Sequence, residues 1–268
     1  MPGSVTSVFS EADDFPAALR KEGCLGLLVT GAGEFRAWLT RVTLHSLRLS
    51  AAEEHLSRIA LVDVPAGMML IALAQSRAFA PFWGGLRLRA DEIITLGASQ
   101  RLHMRTDGPC RWGSIWLPAA ELAGYGSALT GVTFAVPSAA RWRLRPAMIR
   151  HLRHLYSAGI DASERRSSRF IGSEAAHGLE QQLIEALVEC LANGSVIAAT
   201  GCTREHQDIA LRFEALLQAE PERALRIAEI RAMLGVSARD LRLACDKQLG
   251  MAPVAYARRR RLQLVERA

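Results

Sequence analysis

The chain has 268 residues, half of them hydrophobic, a net charge of +6 and an isoelectric point near 9.5. Its length suggests two domains and its apolar content suffices for real cores, while the basic balance, carried far more by arginine than lysine, is compatible with a nucleic-acid partner without proving one. Several classes are excluded: no basic n-region and apolar h-region opens the chain, and the most apolar stretch, 59–74, contains Asp63 and Pro65 and is too short for a membrane span. Cys24, Cys110, Cys190, Cys202 and Cys245 are odd in number and lack metal or redox spacing, which fits reduced thiols in a cytoplasmic protein.

In chain order, residues 1–21 are small and polar and predict a mobile arm or a short helix. The apolar run 24–30, bounded by glycines, reads as an edge strand or the start of a core. Residues 33–122 look β-rich. Val42, Leu44 and Ser46 alternate against Arg41, Thr43 and His45, and the runs 58–64 and 68–73 are separated by Pro65-Ala66-Gly67. Trp83-Gly84-Gly85 is a further turn, and strands are predicted at 93–96, 101–104 and 112–116. Short strands divided by Gly/Pro turns point to a barrel or sandwich. From Leu117 the pattern changes. Residues 118–129 read as a helix and 132–136 as a final strand. The segment 141–169 carries eight arginines against Asp161 and Glu164. Helices are predicted at 146–158 and 167–191, the second with a stripe of Leu179, Leu183, Leu187 and Leu191 and a stop at Asn193-Gly194-Ser195. A linker at 200–205 and a helix at 205–219 follow.

The last 44 residues are the most informative. Ile227, Ile230 and Leu234 fall at helical spacing before Gly235, which leaves the right-handed region cheaply. Ser237 stands where an N-cap is wanted, with Asp240 three residues on. The next helix places Leu241, Ala244, Cys245 and Leu249 on one face and Arg239, Arg242, Leu243 and Asp246 on the other. Gly250 closes it, and Pro253 opens a third helix containing Arg258 to Arg261. This is a helix-turn-helix pattern whose second helix can enter a major groove.

Leu234, Gly235, Ser237, Leu241, Gly250, Pro253, Tyr256, Arg261 and Leu262 resemble the first helix-turn-helix of the AraC/XylS-type transcriptional regulators. More loosely, residues 83–118 resemble the cupin-like N-terminal domain of that family, with Asp91 where its turn often has glycine. The resemblance implies an α+β chain: a cupin-like β-barrel or sandwich for sensing and dimerisation over 1–136, a helical segment and linker over 137–200, and a helical DNA-binding domain over 201–268. It implies a double-stranded promoter or operator as partner, a homodimer, a possible small-molecule effector, and base contacts from the outer face of the second helix. It also implies a second helix-turn-helix beyond a joining helix. The sequence stops at Ala268 within that helix, so weak DNA binding unless dimerised is expected of a single unit.

Arg239 and Arg242 are the candidate base readers, since a guanidinium donates two parallel bonds to guanine O6 and N7. Leu243 suits a thymine methyl, and Ser237 caps the helix. Successive helical residues are about 100° apart, so Arg258 to Arg261 encircle their helix. Some of them, with Arg258, Arg259 and Arg261 as candidates, would contact phosphate, and others would pair with protein acids. Plain solvated arginine is the competing reading for each. Trp83, His103, Trp112 and Trp116 are candidate lining for an effector pocket, with core packing as the alternative. His45, His55 and His103 lack the His-x-His pattern of catalytic cupins, so no metal and no cofactor are expected. No nucleophile elbow, P-loop or dinucleotide turn exists, and no catalytic residue is assigned. The rival functions are a dimerising, dominant-negative interaction protein and a cupin-type metalloenzyme.

Overall fold

The structure, a computed structural model, describes residues 2–75, 80–164, 173–197, 201–220, 223 and 225–265. Two antiparallel sheets face one another. The larger has the order β1-β3-β4-β11-β6-β9-β12-β13: β1 Gly3–Phe9, β3 Ala37–Thr43, β4 Arg48–Glu54, β11 Cys110–Pro118, β6 Met68–Ala74, β9 Glu92–Leu96, β12 Ala139–Arg143 and β13 Ser195–Ile197. The smaller has the order β2-β5-β10-β7-β8: β2 Cys24–Val29, β5 Arg58–Asp63, β10 Arg101–Thr106, β7 Phe82–Trp83 and β8 Leu86–Arg87. Leu39, Leu70, Trp112 and Trp116 from the large sheet meet Leu27, Val62, Leu102 and Met104 from the small one in a shared core. The two sheets remain separate hydrogen-bonded ladders, so the expected barrel is open: the architecture is α+β with a two-sheet sandwich.

The outer face of the large sheet carries a second core. Val42, Leu49, Ile71 and Ile115 pack under α2 (Ala119–Thr130), α3 (Pro146–Glu164) and α4 (Ser173–Asn193), meeting Leu122, Leu152 and Leu187. The period-two alternation of β4 serves both cores: Leu49 faces the helices, while Ser50 and Ala52 face the other sheet. The leucine stripe of α4 is spent here, with Leu179, Leu183, Leu187 and Leu191 all buried. A dimer would therefore need a different face.

Three local expectations change. Residues 3–9 form β1 rather than an arm, because the edge of β3 offers it a full antiparallel ladder, and the short helix expected as the alternative follows as α1 (Asp14–Leu19). Residues 132–136 are irregular, and the strand lies at β12, which β9 recruits. The helix expected from 205 begins at Gly201, as α5 (Gly201–Ala219). The expected helical start at 167–172, Arg165, Arg166, Arg169 and the linker residue Thr200 lie outside the described residues.

The C-terminal helices build a third core. Ile209, Phe213 and Leu217 of α5 pack with Ile230 and Leu234 of α6 (Ile227–Leu234), Leu241 and Cys245 of α7 (Ala238–Gln248) and Tyr256 of α8 (Pro253–Val265). Leu28 of β2 and Ile59 of β5 join the same cluster, which docks the helices on the outer face of the small sheet. Gly235 at φ 67° ends α6, and Ser237 Oγ accepts the Asp240 N–H at 3.1 Å to start α7. Ser237→Ala is expected to cost about 1 kcal/mol, read as a lower urea midpoint at unchanged slope. Among the described residues, no helix is long and apolar enough to cross a membrane.

Candidate nucleic-acid interface

Because its apolar stripe is buried, α7 has a free outer face. Leu241, Ala244, Cys245 and Leu249 face inward, and Ser237, Arg239, Arg242 and Leu243 lie exposed on the first two turns. The Arg242 side chain is 75% exposed and stands 3.8 Å from Asp246 one turn on, a surface pair worth little. The opposite end of α7 is anchored. Gln248 Nε2 donates to the Gly84 carbonyl at 3.1 Å. A Cβ on Gly85 would stand 2.9 Å from Gln248 Nε2 and 3.1 Å from the Lys247 carbonyl, so the Gly84-Gly85 turn admits the helix end as well as joining β7 to β8.

The arginine run divides by helical geometry. Arg258 and Arg261 are exposed. Arg259 Nη1 donates to the Thr30 carbonyl at 2.7 Å, which ties it to the end of β2. Arg260 is buried, and its Nε and Nη2 both stand 2.9 Å from Glu214 Oε1. Glu214 of α5 also accepts from Gln218 at 2.9 Å and from the Tyr256 hydroxyl. Burial, and secondly the adjacent Glu214 charge, push the Tyr256 hydroxyl well above the usual phenol range. Glu214 drew no attention in the sequence, although a glutamate between Phe213 and Leu217 on an apolar helix face is the signal that could have found it.

His103 does not join the tryptophans. Leu102 and Met104 point between the sheets, so the intervening His103 points to the opposite face of β10, towards the charges of Glu214 and Arg260. It is fully buried, and neither ring nitrogen has a hydrogen-bond partner. Desolvation pushes its pKa down from 6.5 to about 4. The folded state thus resists a proton that the unfolded chain accepts. The stability this contributes is present above pH 6.5 and is lost as pH falls towards 4, on the order of 3 kcal/mol in full. His103→Phe should flatten the stability profile between those pH values, as measured by urea unfolding.

Trp83, Trp112 and Trp116 do converge, on an interior cavity between the sheets of about 20 Å³, the room of roughly one water. Glu22 Oε1, Trp83 Nε1, Ser114 Oγ and Trp116 Nε1, all on residues lining it, are buried without a hydrogen-bond partner. At its side Arg58 Nε and Nη2 each bond a Glu54 oxygen at 2.7 Å, and Trp112 Nε1 donates to the same carboxylate. Burial raises the neighbouring thiols, Cys24 to about 11 and Cys110 to about 12, so both stay protonated. His45 sits with Glu180 and His177, and His55 edge-on to Trp38 at 5.2 Å, so the three histidines weighed for a metal do not meet.

A two-sheet unit with helices on one sheet and a basic helical unit docked on the other is thus the architecture in hand. A solved structure shares it along nearly the whole chain: that of the AraC-like transcriptional activator CuxR, with a TM-score of 0.52 at 16% identity, covering 98% of this chain and 95% of that one. At that identity the likeness is one of fold. No family model matches the chain, and no curated protein does.

Proposed function

We propose that the protein is a sequence-specific DNA-binding transcription regulator of the AraC-like type, acting by binding rather than by catalysis. The observation that carries this reading is the exposed Arg239-Arg242-Leu243 face of α7 above a wholly buried apolar floor, with Ser237 capping the entering end. In this reading α6, its turn and α7 form a helix-turn-helix. Arg239 and Arg242 read base edges, and Leu243 touches a thymine methyl. Arg258 and Arg261 grip phosphate, joined by Arg259 when its bond to Thr30 opens. The cupin-like sandwich supplies effector sensing and dimerisation, though not through the tryptophan-lined interior, which has room for only about one water, and the protein works in the bacterial cytoplasm. The structural likeness to an AraC-like activator supports this assignment.

Fluorescence anisotropy with promoter DNA from the protein's own locus tests it across a salt series. Arg258→Ala and Arg261→Ala should each weaken binding to promoter and random duplex alike and lower the salt slope by about 1. Binding that ignores both salt and these arginines would remove the phosphate-gripping role.

A further inference from the structure

The helix-facing side of the large sheet changes character along its strands. One cross-strand row, Val42-Leu49-Ile115-Ile71, is buried under the helices. The next row is Thr40-Ala51-Gly113-Leu73. Four residues along each strand from the first row, the row reads Trp38-Glu53-Arg111, and the pairing of Trp112 with Ala74 sets Gln75 beside Arg111. Here α3 forms the wall of a groove of about 530 Å³, with Tyr156, Ser157 and Asp161 opposite the strands. That volume lies within the usual range of small-molecule sites, roughly 300–1,000 Å³.

One feature marks the groove as prepared for an acceptor: Gln75 Nε2 is buried and has none. Gly113 lets that amide and the Tyr156 hydroxyl lie close over the sheet, since a Cβ there would stand 2.6 Å from both. The charges are ordered. Trp38, with His55 edge-on to it at 5.2 Å, offers an indole ring, Glu53 a carboxylate, and Arg111 with Gln75 a set of donors. Arg111 Nη2 is 2.7 Å from Glu53, and its side chain is 62% exposed, so further N–H groups remain for a ligand. Asp161 adds a second carboxylate from the wall.

We propose that this groove binds a zwitterionic amine-carboxylate bearing an aromatic side chain, the chemical class of the aromatic amino acids. The ring lies on Trp38, the ammonium sits between Glu53 and Asp161, and the carboxylate takes Arg111 and the Gln75 amide. Neighbouring strands are about 4.8 Å apart, which matches the step from ring to ammonium in such a molecule. The site is distinct from the tryptophan-lined interior, and its occupancy does not depend on the DNA-binding reading.

Calorimetric titration of the full chain with L-phenylalanine, phenethylamine and 3-phenylpropionate tests this. L-Phenylalanine should bind saturably at one site, and each analogue, lacking one charge, should bind about tenfold or more weakly. Arg111→Gln, at an exposed position, should lose about tenfold for L-phenylalanine while keeping the wild-type melting temperature and the weak affinity for phenethylamine. The proposal is overturned by the absence of saturable L-phenylalanine binding, by an analogue that binds comparably, or by an Arg111→Gln protein that binds as wild type. DNA affinity measured on the same samples reports separately on the regulator reading.

Discussion

Glu214→Ala should destabilise the helical unit by about 3–5 kcal/mol, the usual cost of removing one member of a buried ion pair. The substitution strands the Arg260 guanidinium inside the protein and takes the acceptor from the Tyr256 hydroxyl and from Gln218. The damage should spread to the docking, because α8 also holds β2 through Arg259 to Thr30 and Gln263 to Leu27. Urea unfolding followed by circular dichroism should show the loss. Replacing the pair together, Glu214→Leu with Arg260→Met, should recover most of it, since a pair exchanged for apolar groups of similar volume is close to neutral. A Glu214→Ala protein within about 1 kcal/mol of wild type would mean that solvent reaches the pair and that the helical unit is not seated as described.

The second large effect concerns recognition. Arg239→Ala with Arg242→Ala should reduce the preference for promoter over random duplex by about a hundredfold or more, given about 1–3 kcal/mol of discrimination per bidentate guanine contact. Neither side chain is buried, so stability should stay within about 0.5 kcal/mol of wild type. Competition binding against random DNA separates this from the effect of Arg258 and Arg261, whose loss weakens all duplexes equally. A double variant with unchanged preference would place the reading face elsewhere.

Much of the local structure was legible. The strand pattern, the Trp83-Gly84-Gly85 turn, the stop at Asn193 and the Gly235, Ser237 and Pro253 boundaries all depend on backbone sterics and on side chains reaching their own main chain. The outer face of α7 was legible for the same reason, since a 3.6-residue period separates Leu241 and Cys245 from Arg239 and Arg242. The fates of the four consecutive arginines were foreseen only in kind. That Arg260 would be the buried one required α5 to bring Glu214 against α8.

Other choices were beyond local pattern. A leucine stripe looks the same whether it meets a second subunit or the chain's own sheet, and α4 meets Ile71 and Ile115. A histidine in a strand looks the same on either face; pairing of β10 with β5 and β7, and the helices docked outside, put His103 between the units. The row of Trp38, Glu53, Arg111 and Gln75 joins residues from four distant segments and exists only in the register of the sheet. The sequence by itself determined most helix and strand boundaries and how their apolar sides turn, because those preferences are settled within a few residues, while β1 and β12 waited on partner strands. Tertiary structure alone decided what each apolar side meets and which charges lose water, because burial depends on partners far away in the chain.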